Sequence, residues 1–264
     1  MKKYWTIFKT CLAVTFEYRG SLIIWFLHDL VLLATWLFLW SAAFRGQETM
    51  GGYHFSQLTF YFILVPIVGA ITGTHVSGIL PFDIKSGDIS KDILKPYNFS
   101  SFWFLKPLAQ KISQQLFKVP VFIVLLVSIS LIFKIEFVLN NFLIGFAVCF
   151  LAYGLHYFLD LCVSYAAFWM DDVWALTHLK NVCFTILAGM AFPLDLVFKG
   201  FQPILSFLPF RFFYFFPIQI IQGVLSVPEI LSGIISLLMW MFFFFFSSNI
   251  LWKIGMKKYG AYGN

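Results

Sequence analysis

Apolar residues run on along most of this chain for about one membrane thickness at a time, and the polar positions gather between those runs. A helix crosses the hydrocarbon core with about 20 mostly apolar residues. Runs of that kind fall near 21–43, 57–80, 117–133, 139–168, 181–198 and 230–252, so the pattern predicts about six spanning helices. The fourth is long enough to be tilted or broken. Ahead of the first run, Tyr4, Trp5, Ile7, Phe8, Cys11, Leu12, Val14 and Phe16 share one helical face, opposite Lys2, Thr6, Lys9, Thr10 and Glu17. That segment, 1–19, reads as an interfacial helix lying in the headgroup plane, or else as the start of the first span.

Composition sharpens this reading. The chain is 61% hydrophobic and 11% charged, with a mean hydropathy of +0.87, whereas a soluble domain is about 25% charged. The predicted class is therefore an all-α polytopic membrane protein forming a single domain over 1–264. The net charge of +6 is not gathered on a soluble module, which argues against nucleic acid. It follows membrane topology instead. With an inside N-terminus, of 18 Lys and Arg only Arg45, Lys134, Lys199 and Arg211 fall outside, so both termini are expected in the cytoplasm. Cys11, Cys149, Cys162 and Cys183 follow no zinc or redox spacing. Lys2 and Lys3 lead into an amphipathic segment, so no cleavable signal peptide is expected.

Three segments stand out. Gly69 and Gly73, with Ser77 four residues on, have the spacing that lets helix backbones approach closely, within the chain or between subunits. The stretch Asp83–Pro96 is the most polar of the chain, and Ile89, Ile93 and Leu94 recur in it at helical spacing between Gly87 and Pro96. It predicts an amphipathic helix of about two turns within a cytoplasmic loop over 81–116, suited to a groove on a soluble partner or serving as a solvated connector. The outer stretch 199–229 is apolar yet interrupted by Pro203, Pro209 and Pro217, with Pro193 just ahead. It cannot form one straight helix, and a re-entrant hairpin fits it.

This order of parts resembles the membrane subunit of type-2 ATP-binding-cassette (ABC) exporters, in the branch of daunorubicin- and viologen-type permeases. The resemblance rests on Ile84-Lys-Ser-Gly87 leading to Ile93-Leu-Lys-Pro96, and on Phe168-Trp169 followed by Asp171-Asp172. It rests also on Phe192-Pro-Leu-Asp195 followed by Leu208-Pro-Phe-Arg211, and on the closing 257–263. Where that branch carries a proline soon after the aspartate, this chain has Phe198-Lys199-Gly200. The resemblance implies that Lys85, Gly87, Asp88, Ile89, Asp92, Ile93 and Leu94 dock on a separate ATPase, present in two copies and holding ATP and Mg. It implies a second permease copy or a related permease, an outer hairpin carrying Pro193, Pro209, Phe210 and Arg211, and a home in the plasma membrane of a bacterium. No GxxxxGK followed by Ser or Thr occurs, so the chain itself would be a transport permease that binds no cofactor.

Ionisable groups at bilayer depth are costly and are functional candidates by default. His28 and Asp29 lie in the first run, His75 in the second, and His156 and Asp160 four residues apart in the fourth, so the last two share a helix face. These groups would line a substrate path, with an aspartate attracting a cationic amphiphile, or form satisfied polar pairs between helices. Lone His75 reads as structural. An amphiphilic substrate, either a drug-like cation or a lipid-like molecule, suits the aromatic-rich spans. Two rival classes use the same residues differently: a self-sufficient secondary transporter or channel relaying ions through Asp29, His156 and Asp160, or a membrane enzyme. Against the enzyme, no GxSxG, HExxH or paired cysteine ligands occur. The sequon Asn98-Phe-Ser100 falls on the expected inner side, so glycosylation is not expected.

Overall fold

The computed structural model describes residues 5, 6, 8–10, 13, 19–96, 98–134, 138–197 and 199–259. Most of the expected interfacial helix lies outside the described residues. Of those within it, Trp5, Thr6, Phe8–Thr10 and Ala13 are helical.

The first long helix, α1 (Arg19–Ala43), leads to a two-strand hairpin, β1 (Thr49–Met50) and β2 (Tyr53–His54), with Thr49 facing His54 and Met50 facing Tyr53. Gly51 and Gly52 both have positive φ, as a tight two-residue hairpin turn demands. From there α2 (Phe55–Thr72) runs back through the bundle, and α3 (Val76–Ser86) continues it after a gap. The short α4 (Ile89–Ile93) turns the chain into α5 (Phe99–Phe133), and α6 (Leu139–Tyr165) returns and ends in a 3-10 turn at Ala166–Phe168. Next come α7 (Trp174–Leu187), the short α8 (Leu194–Val197) and α9 (Gln202–Phe207), α10 (Phe215–Gln222) and the long α11 (Val227–Lys258). The architecture is all-α and polytopic. Among the described residues four stretches are long and apolar enough to cross a membrane: Ile23–Ala43, Phe55–Ser86, Leu139–Phe168 and Val227–Lys258.

Several boundaries differ from the sequence expectation. The second span is not one helix, because the backbone opens at Gly73–His75. The third, expected over 117–133, is the far part of the 35-residue α5, about 50 Å long at 1.5 Å per residue. Much of the expected loop 81–116 is therefore helix. Asn98 starts α5 by accepting a hydrogen bond from the Ser101 amide at 3.0 Å, which satisfies one of the orphan donors of a first turn. The fifth, expected over 181–198, begins earlier at Trp174, whose amide donates to Asp172 Oδ1 at 2.7 Å. It ends at Leu187, because Gly189 adopts φ +87° and Pro193 follows. Its 14 residues make about 21 Å, less than a full crossing.

The centre of the bundle is α6, packed against α11, α10, α3 and α2. Two glycines allow the close approach of α11: a Cβ at Gly233 would overlap the Phe216 ring, and one at Gly255 the Phe168 ring. Between α6, α7, α10 and α11 lies a core of Leu155, Phe184, Phe212, Phe213, Phe216 and Leu237. At the end bearing α4, Val76, Leu80, Ile84, Ile89, Trp103, Tyr157 and Phe168 form another. By contrast, α1 and α11 leave most of their apolar length uncovered.

Candidate functional site

The gap between α2 and α3 leaves backbone groups that hydrocarbon would not tolerate bare. The fold supplies a side chain for each polarity. At the end of α2, Lys111 Nζ donates to Gly69 O at 3.2 Å and also to Gly73 O. His156 Nδ1 lies 3.0 Å from Thr72 O; a carbonyl only accepts, so Nδ1 carries the proton. At the start of α3, Thr74 Oγ1 accepts from the Val76 amide at 3.2 Å, and Asp160 Oδ2 accepts from the Ser77 amide at 3.3 Å. A cation therefore sits at a helix C-terminus and a carboxylate at a helix N-terminus, the arrangement each helix dipole favours.

Asp160 is fully buried at 0% exposure and is saturated. Lys180 Nζ donates to its Oδ1 at 2.6 Å, and Thr74 Oγ1 to its Oδ2 at 2.7 Å. Lys180 donates as well to Ser77 Oγ at 2.7 Å, and Thr177 Oγ1 to Ser77 O at 3.1 Å. His156 Nε2 approaches Asp160 Oδ1 at 3.7 Å, so the shared face expected from their spacing is real. Lys180 is the member sequence reasoning missed. It stands just ahead of the fifth apolar run, on the expected inner side, but the early start of α7 carries it into the bundle.

Beside this network is a cavity of about 780 Å³ bounded by α1, α2, α3, α5 and α7. Asp29, His28, His75 and His156 line it, while Asp160 stands behind Lys180. Asp29 is paired, with Lys118 Nζ 2.7 Å from Oδ2 and His28 Nδ1 3.3 Å from Oδ1. Neither aspartate is a bare negative charge. The wall also carries Lys106 and Lys111, and a more apolar stretch that includes Leu33, Trp36, Phe62 and Val65. Gly69, on this wall, leaves room for Tyr214: a Cβ there would come within 2.9 Å of its ring. Together with Ser77's bond to Lys180, this shows the small-residue spacing used inside the chain.

The segment 83–96 is shorter in helix than expected, with α4 spanning five residues. Gly87 takes φ +80° at the turn between α3 and α4, a conformation that favours glycine. Of the residues expected to dock, Ile89 is instead fully buried at 0% exposure and anchors α4 to the bundle. Leu94 is 85% exposed and Ile93 is partly so. Asp88 pairs with Lys91 and Asp92 with Lys95, each three residues on, while Lys85 reaches Asp171 at 3.3 Å. The Lys91 hydrogen bond, followed by that from Ser86, holds the Asp88 carboxyl below its usual range.

At the opposite end, Pro193 and Pro209 are buried and Arg211 lies against the rings of Phe212 and Phe216 at 5.6 and 5.3 Å. Phe210 packs edge-on to Phe184. Asp195, read from sequence only as part of a motif, accepts from Tyr53 Oη at 2.8 Å and from Gln219 Nε2 at 3.4 Å, tying the β-hairpin to α10. Among the described residues no group of three or more His, Cys, Asp or Glu could hold a metal ion.

The model of the ABC-2 family transporter protein matches residues 30–263, nearly the whole chain. No curated protein and no solved structure matches it. The match takes in the gap after α2, the α3–α4 turn and the Asp195 end, and the chain belongs to the ABC-2 family of transporter proteins.

Proposed function

We propose that this membrane component of an ABC transporter exports an amphiphilic, lipid-like molecule, driven by a separate ATPase that docks on α4. One observation carries the reading: α4 is joined through Gly87 to α3, and the start of α3 is the broken wall of the cavity. A displacement of α4 therefore acts on Thr74, Ser77 and Asp160 without passing through a loop. The exposed Leu94 and Ile93, bordered by the Asp88–Lys91 and Asp92–Lys95 pairs, supply an apolar contact in a polar surround, as a partner groove requires. Discontinuous helices facing a cavity recur where substrates are moved across a membrane. The amphipathic lining of the cavity supports the substrate class.

In this account the α4 end and both termini are cytoplasmic, and the Asp195 end is a re-entrant hairpin in the outer leaflet. Two ATPases holding ATP and Mg serve two permease copies, or this chain and a related one, in a bacterial inner membrane. The chain itself hydrolyses nothing. A photo-crosslinking phenylalanine analogue at Leu94, irradiated in native membranes, is expected to trap an ABC ATPase. Trapping at the Asp195 end instead, or trapping of no ATPase at any position, would overturn the docking assignment.

A further inference from the structure

The charge on the cavity wall is unbalanced. Four lysines line it, Lys106, Lys111, Lys118 and Lys180. Lys118 is matched by Asp29 and Lys180 by Asp160. Among the described residues neither Lys106 nor Lys111 forms an ion pair. Lys111 gives hydrogen bonds to two carbonyls at the end of α2, which leaves one of an ammonium's three donors. Lys106 Nζ stands 4.3 Å from the Trp103 ring centroid. Asp83 lies within its electrostatic reach but outside ion-pair distance.

An independent observation comes from Trp103. It is 0% exposed and lines the same cavity, yet among the described residues its indole N–H has no hydrogen-bond acceptor. A buried donor left bare is costly, and indole can only donate. Two lysines without counter-charge and an orphan donor on one stretch of α5 all ask for the same partner, an anionic acceptor. The apolar stretch of Leu33, Trp36, Phe62 and Val65 is carried by α1 and α2, whereas Trp103, Lys106 and Lys111 stand on α5, the first two close after α4.

We propose that the cavity binds an amphiphile with an anionic phosphate or carboxylate headgroup, seated at Trp103, Lys106 and Lys111, with its apolar tail along α1 and α2. This deepens the proposed function and rests on the cavity being its substrate site. Among the described residues a cationic amphiphile finds no unpaired carboxylate there: Asp29 on the wall is held by Lys118, and Asp160 behind it by Lys180.

The test uses the full chain purified in an uncharged maltoside detergent, read by thermal melting and by tryptophan quenching. The probes are lysophosphatidylglycerol, lysophosphatidylcholine of the same chain, dodecyltrimethylammonium and cholate. Saturable stabilisation is expected from lysophosphatidylglycerol at concentrations about tenfold below those for lysophosphatidylcholine, as one charge-assisted contact gives. Lys106→Gln should remove that tenfold preference for lysophosphatidylglycerol over lysophosphatidylcholine, and Lys106→Arg should retain it. A matching response to cholate would assign anionic amphiphiles in general, and none would assign anionic phospholipids. Equal responses to all headgroups, a stronger response to the cation, or an unaltered preference in Lys106→Gln would overturn the proposal. Because no ATPase is present, failure here leaves the docking assignment standing, and failure of docking leaves this binding result standing.

Discussion

The phenolic oxygen of Tyr259 lies 2.8 Å from Ser90 Oγ and donates to Gly87 O at 3.0 Å. The end of the last helix thereby holds the short α4 at its first turn. Beneath this contact Trp252 stacks on Phe99 at 4.4 Å between ring centroids, so α11 braces both α4 and the start of α5. The brace is independent of the cavity, and it gives the proposed docking element a fixed base.

Tyr259→Phe should separate the brace from the fold. The ring remains against Phe168, and each lost hydrogen bond costs about 1 kcal/mol, so insertion and abundance should hold. The number of ATP molecules hydrolysed per substrate moved should rise severalfold in reconstituted vesicles. An unchanged ratio would show that Tyr259 plays no part in coupling.

The Lys180–Asp160 pair predicts non-additive stability. Lys180→Met leaves a fully buried carboxylate without its ammonium, a loss of about 3–5 kcal/mol. Adding Asp160→Asn removes the charge and keeps an oxygen for the Thr74 hydroxyl, so the double variant should melt closer to the parent than Lys180→Met does. Additive losses in detergent melting would contradict the pairing.

This network also marks where sequence reading stopped. The apolar runs, the polar segment before Pro96 and the shared face of His156 and Asp160 were legible, because each is a local pattern. The gap at Gly73–His75 was not: three residues inside a long apolar run do not lower its average hydropathy enough. Lys111, Lys118 and Lys180 read as inner-side charges because a lysine at a span boundary ordinarily extends its stem toward water. Here they turn into the bundle, toward partners far off in sequence such as Asp29 and Gly69, and no spacing rule connects those positions.

Close helix approach offers a packing test. Gly233→Ala would push a methyl into the Phe216 ring, and overpacking of that kind costs about 1–3 kcal/mol. Gly200→Ala, with nothing among the described residues within 4 Å of its Cβ position, should melt like the parent. Equal melting of both variants would contradict the packing of α11 on α10.

Charge reversal at Asp88 and Asp92 together is expected to uncouple the ATPase with abundance intact, because it sets lysines against Lys91 and Lys95. The hydrogen bond from Lys91 lowers the Asp88 pKa, and the hydrogen bond to Asp88 raises that of Lys91. The Asp88 contribution is full above its unfolded pKa and is lost as pH falls through the depressed value. That of Lys91 is full below its unfolded pKa and is lost as pH rises through the raised value. Between about pH 6 and about pH 9 both are intact, so this pair should add no pH dependence to coupling there. A coupling ratio in the parent that changes across that window, and does not in the doubly reversed protein, would contradict the assignment.

The central claim is that this chain moves its substrate with energy from a separate ATPase. The most direct measurement is affinity purification from native membranes in mild detergent, with quantitative mass spectrometry of the eluate and an ATP hydrolysis assay on it. The account predicts an ABC ATPase in equal amount to this chain, with hydrolysis that disappears when its Walker A lysine is replaced. Recovery of this chain alone, active in proton-driven transport that depends on Asp29 or Asp160, would contradict it.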